Sequence, residues 1–341
     1  MGATPLLLLT LVQVLAPPES GEVRLRNIRQ LTFGGQNAEA YFSANGRLLI
    51  FQRTGPTEQC DQMYVMGVRG TGLRRVSDGR GRTTCGSFFD RDRRIFYSST
   101  EAVDSACPPR PDYSKGYVWA LYPYDIYTAN ADGSGRRPLT ANRTYTAEAT
   151  LSPDGKRIVF TSLKDGDLEI YTMNVDGSDV RRLTHTLGYD GGPYFSPDGK
   201  LIVYRAFHPQ TPADSAEYLS LLAEHLVRPL RVDIWVMNAD GSDQRMVIHL
   251  PAPNFAPYFH PDGKRVIFAS NYLHPEGLDF DLYLVNLDGT GLERITTSPQ
   301  FDAFPMFSPD GKRLVWISGR NRKVAHESNV FVADWVEHLP P

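Results

Sequence analysis

Short apolar runs separated by polar turns recur along the whole chain. In the clearest copies the turn Ser-Pro-Asp-Gly-Lys precedes a run rich in β-branched and aromatic residues, as in Arg157 to Ser162. Proline fixes φ, aspartate caps the turn, and glycine takes the positive φ that closes a hairpin. β-Branched and aromatic residues favour strands. Each copy therefore predicts a hairpin of two antiparallel strands.

The last large residue of each apolar run gives the period of the repeat. The successive spacings are 45, 64, 44, 64 and 48 positions, between Phe51, Phe96, Phe160, Tyr204, Phe268 and Trp316. A unit of about 45 residues fits if the two long intervals carry insertions, at 100–124 and 206–231. A third strand and a short fourth strand follow each hairpin. Four antiparallel strands per unit predict an all-β fold, a six-bladed β-propeller.

The two ends of the repeat region complete one blade. An outer strand, Arg29 to Thr32, precedes the first full unit, and the chain ends on a third strand, Asn329 to Ala333. We expect the N-terminal strand to pair in the last blade. That pairing closes the ring of a propeller spanning 27–336 and leaves no exposed sheet edge.

The repeated motifs resemble a known family. The Ser/His-Pro-Asp-Gly-Lys turn and the segment Asp-x-Tyr-x-x-Asn-x-Asp-Gly-Ser/Thr resemble the WD40-like PD40 repeat of TolB-type six-bladed propellers of the bacterial cell envelope. The first copy departs from the pattern at Ser43 to Gly46, and the second, Phe89 to Arg93, lacks both Pro and Gly. The resemblance does not include the α/β domain that TolB carries ahead of its propeller.

The beginning of the chain indicates export. An apolar run from Leu6 to Leu15 is too short to span a bilayer and is followed by Ala16 and two prolines. This predicts a signal peptide over 1–21 and a secreted or periplasmic protein; an N-terminal strand or a disordered tail is the alternative. No later segment predicts a membrane span. With 36 Lys and Arg against 39 Asp and Glu, the net charge of −3 disfavours a nucleic-acid partner.

The chain has three cysteines, Cys60, Cys85 and Cys107. Their spacing matches no zinc motif. In an oxidising compartment they predict one structural disulfide and one free thiol; the pairing is left open, and buried free thiols are the alternative.

Propeller geometry predicts where a binding site lies. The segments leading into the innermost strands share one face, around the channel mouth, with the loops between second and third strands. Oxygen-bearing side chains there are typical of Ca²⁺ ligands, and no other cofactor is expected; the alternative is that they bond to turn amides. The candidate ligand-binding residues are Asn37, Glu39, Arg82, Thr84, Thr146, Glu148, Asp190, His208, Asn254, His274 and Asp302.

Both insertions belong to the same face. Within the second, Asp214 to Leu226 predicts a short amphipathic helix behind a capping Asp or Ser, with an apolar face of Leu219, Leu222, Ala223 and Leu226. Such a helix would serve as a lid, as a docking element or simply as packing against the rim.

No sequence motif in the chain identifies a specific reaction. The chain has no Gly-x-Ser-x-Gly elbow, and its eight His residues form no metal pair on one helix. We therefore interpret the chain as an exported, monomeric binding or scaffold module for a protein, peptide or envelope polymer, with no catalytic residue assigned. The alternative is a propeller enzyme, a glycan lyase or hydrolase with an acid-base or metal site at the same face.

Overall fold

Six antiparallel sheets surround a central channel in the computed structural model, which describes residues 14–338. Each first strand contacts the first strands of both neighbouring blades, so the six form a closed ring. The predicted six-bladed propeller is confirmed. Its innermost strands, in blades 1 to 6, are Gln36–Phe42, Thr83–Phe89, Thr146–Leu151, Tyr189–Phe195, Asn254–Phe259 and Asp302–Phe307.

The remaining strands of each blade follow outward in order. The second strands are Leu48–Thr54, Arg94–Ser99, Arg157–Ser162, Leu201–Phe207, Arg265–Ser270 and Arg313–Ser318. The third strands are Gln62–Gly67, Asp125–Asn130, Glu169–Asn174, Asp233–Asn238, Asp281–Asn286 and Asn329–Trp335. The fourth strands are Arg74–Arg75, Arg137–Pro138, Arg181–Arg182, Arg245–Ile248, Glu293–Arg294 and, in blade 6, Leu25–Gln30.

The N-terminal strand closes the ring, as predicted. Leu25–Gln30 pairs antiparallel with Asn329–Trp335, the third strand of blade 6. Val14–Leu15 adds a fifth strand outside it. The first thirteen residues of the predicted signal peptide lie outside the described residues, so the leader stays a prediction. No helix within residues 14–338 has both the length and the apolar character that a membrane crossing requires.

A cross-strand aromatic pair marks the same position in every blade, on the second and third strands. The pairs are Phe51 with Tyr64, Tyr97 with Tyr127, Phe160 with Tyr171, Tyr204 with Trp235, Phe268 with Tyr283 and Trp316 with Phe331. In blade 2 the paired residue is therefore Tyr97, and the sequence alignment at Phe96 was wrong by one position. Without Pro and Gly in its turn, and with adjacent aromatics at Phe88 and Phe89, this copy offered no landmark for the register.

The turns between third and fourth strands join neighbouring blades. Asp132 Oδ1 accepts hydrogen bonds from the backbone N–H and the hydroxyl of Ser134, at 2.9 and 2.7 Å. Gly133 has φ +90°, and a Cβ there would lie 2.3 Å from the carbonyl oxygen of Val76 in the preceding blade. Only glycine satisfies both conditions. These segments are hairpin turns, as predicted.

The two insertions form a lid. Trp119–Ala120 in the first pairs with Leu226–Val227 in the second as a two-stranded ribbon. The α-helix Pro212–Ala223 precedes the second ribbon strand, and 3₁₀ turns occupy Tyr113–Lys115 and Pro229–Arg231.

The predicted lid helix needs correction. It begins earlier than expected, with Thr211 as the N-cap accepting from the N–H of Asp214 at 3.1 Å. Its buried residues are Tyr218, Leu221 and Leu222, whereas Leu219 is 48% exposed. The Tyr218 hydroxyl lies 2.5 Å from a carboxylate oxygen of Asp167, tying the helix to blade 3. The buried face of the helix differs from the predicted one because the buried Tyr218 hydroxyl needs a hydrogen-bond partner. The sequence did not show that Asp167 is that partner.

A buried ion triad fastens the segment before the closing strand. Arg320 lies between Glu22 and Asp302, and the side chains are 4%, 0% and 0% exposed. Arg320 Nη1 donates to Glu22 Oε2 at 2.8 Å, and Nη2 lies 3.1 Å from Asp302 Oδ2. Removing the cation would leave two carboxylates buried without a partner.

We expect Arg320→Met to lower the free energy of unfolding by about 3–5 kcal/mol, because it strands two buried charges. Urea denaturation at pH 7 measures the change. Arg181→Met is the control: its ion pair with Asp179 is exposed, at 67% and 38%, and should contribute less than about 1 kcal/mol. Equal effects of the two substitutions would show that the triad does not fasten the ring.

Candidate functional site

Each innermost strand directs one residue into the channel through the same backbone feature, a β-bulge. Every one of them contains a β-bulge at its register shift with the second strand. The bulge residue lies in the left-handed region, with φ between 51° and 61°. We call these six residues the channel ring; they line the narrow part of the channel and are Glu39, Cys85, Glu148, Gly192, Ala256 and Phe304.

Five of the six channel-ring residues carry a side chain at positive φ. Each such residue costs on the order of 1 kcal/mol of backbone strain. A bulge re-aims the side chain relative to the regular alternation of a strand. The repeated conformation therefore determines which side chains face the axis.

The predicted polar positions two residues earlier in each strand have a structural role. In blade 2 the equivalent residue is Thr83, which corrects the assignment of Thr84. All six are at most 1% exposed, and none of their side chains lines the cavity described below. They are Asn37, Thr83, Thr146, Asp190, Asn254 and Asp302.

Hydrogen bonds explain why these positions are polar. Asn254 Nδ2 donates to the carbonyl of Ala252 at 2.9 Å, and Asp302 Oδ1 accepts from the indole N–H of Trp316 at 3.0 Å. Thr146 exchanges a hydrogen bond of 2.9 Å with Ser162. These bonds join the first strand to the second in blades 3 and 6 and hold the segment before the first strand in blade 5. None of the three is a bond to a turn amide, which was the alternative stated from sequence.

The two predicted histidines lie at the edge of the site. His208 Nε2 is 3.0 Å from Asp190 Oδ1, at the base of the lid. Burial opposes a positive charge on His208, but the hydrogen bond and negative charge of Asp190 outweigh it and raise the pKa of His208. His274 is exposed on the loop between the second and third strands of blade 5. Neither residue is among those lining the cavity.

A cavity of about 600 Å³ occupies the channel mouth above the channel ring. Its roof is the ribbon of the lid, including Trp119 and Ala120, and its floor includes Glu39, Glu148 and Arg205. Eleven of its 31 lining residues are aromatic. They are Tyr113, Tyr117, Trp119, Tyr122, Tyr124, Tyr145, Tyr189, Phe255, Phe280, Phe301 and Phe304.

A disulfide holds the lid to blade 1. Cys60, in the loop between the second and third strands of blade 1, is bonded to Cys107 of the first insertion, with the Cα atoms 5.9 Å apart. The predicted structural disulfide is confirmed and its pairing settled. Cys85 is the free thiol, buried in the channel ring.

One ion pair spans the floor of the cavity. Arg205 is paired with Glu148, and its Nε donates to the Tyr189 hydroxyl at 2.8 Å. The guanidinium lies over the ring of Trp119, 5.0 Å from its centroid. Glu148 also accepts from the N–H of Gly192 at 2.8 Å. Burial opposes a positive charge on Arg205, but the negative charge of Glu148 outweighs it and raises the pKa of Arg205.

A second ion pair lies on the wall beside blade 2. Arg82 donates to Asp61 Oδ2 at 3.0 Å through Nε and at 2.5 Å through Nη2. Its guanidinium lies 5.4 Å from the centroid of the Tyr122 ring. Next to it Thr84 lines the wall and donates to Gln52 Oε1 at 2.6 Å.

Glu39 is the carboxyl group of the channel ring that no cation pairs with, among the side chains of residues 14–338 that the structure describes. Burial raises the pKa of Glu39 to about 7, and the negative charge of Glu148 adds to this effect. A hydrogen bond with Cys85 and the charge of Arg205 act in the opposite direction. Burial also raises the pKa of the Cys85 thiol well above its ordinary value. The thiol is therefore neutral, whereas Glu39 titrates near neutrality.

One other cluster has metal-ligating side chains. His260, Asp262 and Glu337 place one ligand atom each within 4.8 Å of one another, and no other such group of three occurs in residues 14–338 outside the masked side chains. Arg265 already occupies this cluster, donating to Asp262 Oδ2 at 2.7 Å and pairing with Glu337. Since a guanidinium supplies the positive charge there, we assign no metal to it.

Sequence analysis predicted four side chains that line the cavity: Glu39, Arg82, Thr84 and Glu148. It missed the aromatic wall and the place of Cys85 in the channel ring. One sequence feature pointed to the aromatic wall, the Tyr-rich first insertion. The position of Cys85 was hidden by the one-residue error in blade 2.

We expect Glu39→Gln to stabilise the protein at alkaline pH. Because the folded-state pKa of Glu39, about 7, exceeds its ordinary value of 4.5, ionisation destabilises the fold as pH rises between those values. The variant should gain up to about 3 kcal/mol at pH 8.5 and nearly nothing at pH 4.5, by urea denaturation. Asp243→Asn, at an outer-edge side chain 68% exposed, is the control and should stay within about 0.5 kcal/mol at both pH values. A gain independent of pH would contradict the burial of Glu39.

Comparisons with known proteins agree with the six-bladed β-propeller fold. A family model described as the TolB β-propeller domain, PD40, matches residues 122–214 and 226–325. Among proteins of curated function, none matches the sequence. Three similar solved structures share the fold.

The first is a protein assigned as TolB in Agrobacterium tumefaciens, with 19% identity, a TM-score of 0.57, and coverage of 89% of this chain and 91% of that one. A gluconolactonase from Xanthomonas campestris has 14% identity, a TM-score of 0.61, and coverage of 95% of both chains. An oligogalacturonate lyase in complex with manganese has 12% identity, a TM-score of 0.52, and coverage of 91% and 93%. At these identities the similarity shows the fold alone. Because the family model matches more than half of the 341 residues, the chain belongs to the TolB-type β-propeller family of PD40 repeats.

Proposed function

We propose that the protein is a binding module that holds a small organic ligand, or the end of a peptide or envelope polymer, in the cavity at the channel mouth. The observation that carries this proposal is the aromatic-walled cavity of about 600 Å³ beneath the lid. Ligand pockets in proteins typically have volumes of about 300–1,000 Å³ and combine apolar walls with few polar groups. The cavity matches both criteria.

The lid limits what reaches the channel. Because the Trp119–Ala120 strand of the lid lines the cavity, a folded partner would reach the cavity past the lid, through an inserted terminus or loop. The disulfide between Cys60 and Cys107 restrains one side of this lid, and the bond of Tyr218 to Asp167 restrains the other. A restrained lid favours a preformed pocket, which reduces the entropy lost on binding.

The walls and the floor have different roles in this proposal. Trp119 lies edge to face with Tyr189 and Phe255, both at 6.3 Å between centroids, so its ring is held in place by its neighbours. Rigid rings supply apolar contact area at low entropic cost. The charged floor would orient the ligand.

We further propose that the protein acts outside the cytoplasm. The disulfide supports this, since disulfides persist in oxidising compartments such as the periplasm or the extracellular space. A Ca²⁺ ion at the channel mouth stays a prediction. Two of the carboxylates predicted to bind it are already paired, Glu148 with Arg205 and Asp302 with Arg320, and so we route no part of the function through a metal.

A fragment screen tests the binding proposal. The full chain is titrated by thermal shift with mono- and disaccharides, amino acids, short peptides and simple amines and acids. We expect at least one chemical class to raise the Tm, and Trp119→Ala to weaken that binding by at least about 10-fold, because one stacked ring contributes about 1 kcal/mol or more.

Phe33→Ala is the control for this screen, because Phe33 is 44% exposed and does not line the cavity. It should bind like the wild type. If no compound binds, or if Trp119→Ala binds every compound as well as the wild type does, the cavity is not a binding site.

A second candidate function is proton-transfer catalysis by a lyase or hydrolase at the same site. The observation that favours it is Glu39, since a general base is most effective when its pKa lies near the working pH, and the pKa of Glu39 is raised to about 7. Turnover of oligogalacturonate or gluconolactone, reduced by about 100-fold or more in Glu39→Gln, would support an enzyme. Absent turnover, or equal turnover in the variant, would exclude this candidate for those substrates.

A further inference from the structure

We infer that the ligand of the cavity carries a positive charge: an organic ammonium group placed against Glu39, with aromatic rings around it. This inference rests on the proposed binding function and names the chemical class of its ligand. The charges lining the cavity, the partners of each charge and the chemistry of the walls point to it independently.

The lining charges are not balanced. Four carboxylates and two guanidinium groups line the cavity: Glu39, Asp61, Glu148, Glu276, Arg82 and Arg205. Both arginines are consumed in ion pairs, Arg82 with Asp61 and Arg205 with Glu148. Glu276 is exposed to solvent at the rim. Within the floor, the uncompensated carboxyl is therefore that of Glu39.

The position of Glu39 makes its missing partner significant. It lines both the floor of the cavity and the narrow channel below, and the residue is partly exposed to solvent. No salt bridge joins it to a cationic side chain among those that the structure describes, and its hydrogen-bond neighbour is the Cys85 thiol. A buried carboxylate without a cation is costly, so a cationic group entering from the cavity would gain the full benefit of pairing.

Two arginine side chains that line the cavity already combine a carboxylate partner with an aromatic ring. Arg205 lies 5.0 Å from the centroid of the Trp119 ring while paired with Glu148, and Arg82 lies 5.4 Å from that of Tyr122 while paired with Asp61. Cation–π contacts within about 6 Å are favourable, more so in desolvated sites. Glu39 shares the cavity and the narrow channel with an aromatic residue, Phe304, but has no cation paired with it among the side chains that the structure describes.

Binding of a cation at Glu39 must depend on pH. The charged and titratable groups that act on Glu39 are Asp61 of blade 1, Cys85 of blade 2, Glu148 of blade 3 and Arg205 of blade 4, together with Tyr41 and Tyr194. Burial raises the pKa of the Cys85 thiol and of both tyrosines far above neutrality, so these groups stay neutral. Burial raises the pKa of Glu39 to about 7, so its ionised form, which attracts the cation, becomes dominant above that pH.

Calorimetric titration of the full chain with two isosteric probes tests the inference. Choline carries a quaternary ammonium group, and 3,3-dimethyl-1-butanol has the same shape without the charge. At pH 8.5 we expect choline to bind at least about 10-fold tighter than the alcohol. Lowering the pH to 6 should weaken choline binding by about 10-fold, because about one tenth of Glu39 remains ionised there.

Matched variants assign the preference to Glu39. Glu39→Gln should bind both probes equally and without pH dependence, while Asp243→Asn, on the outer edge, should bind them as the wild type does. A circular dichroism spectrum and Tm confirm that Glu39→Gln is folded, which its expected stability above pH 7 makes straightforward.

The possible failures are distinguishable. If both probes bind equally to the wild type, or choline preference survives in Glu39→Gln, the cationic ligand is refuted while the cavity remains a binding site. The same holds if only neutral or anionic compounds of the fragment screen bind in a manner that Trp119→Ala weakens. If neither the probes nor any screened compound binds, both the cationic ligand and the binding function are refuted.

Discussion

The convergence of six strands on one axis constrains everything else in this protein. Each innermost strand delivers one residue into a narrow channel, and a left-handed bulge at that residue turns the side chain inward. The narrow channel holds residues of different sizes, from Gly192 to Phe304. Gly192 shows the limit most clearly, because a Cβ there would lie 2.5 Å from Arg205 Nη1. The backbone strain of the bulges is tolerated because the closed ring leaves the strands no other arrangement.

This constraint also explains the electrostatics of the site. Groups at the channel axis are removed from water by neighbouring blades on every side, so a charge there needs a partner. Glu148 meets this need through Arg205. Away from the axis, the buried Asp302 likewise pairs with Arg320 in the triad. Glu39 has the neutral Cys85 thiol beside it and holds its proton up to near-neutral pH instead. Glu39 and Glu148 occupy equivalent positions in their blades. Only Glu148 has an arginine partner, and this difference arises from the neighbouring side chains.

The sequence predicted the architecture well because its repeat is periodic. Copies such as Ser152 to Ser162 established the hairpins, their number and the pairing of the closing strand. The register failed in blade 2, where Phe89 to Arg93 lacks the turn residues that mark the other copies. The bulges were invisible, since Glu39 and Phe304 are not residues that favour positive φ. The aromatic cavity depends on two insertions meeting across the channel, and no local pattern predicts that contact between Trp119 and Val227.

The central claim is that the closed ring of strands partly removes the Glu39 carboxyl from water at the floor of the cavity. Carbon-13 NMR of the glutamate side-chain carboxyls, titrated from pH 3 to 10, measures this directly, with the Glu39→Gln spectrum assigning the resonance. A midpoint near 7 for Glu39 is the predicted result. A midpoint near the ordinary glutamate value of about 4.3 would place the group in water and contradict the account.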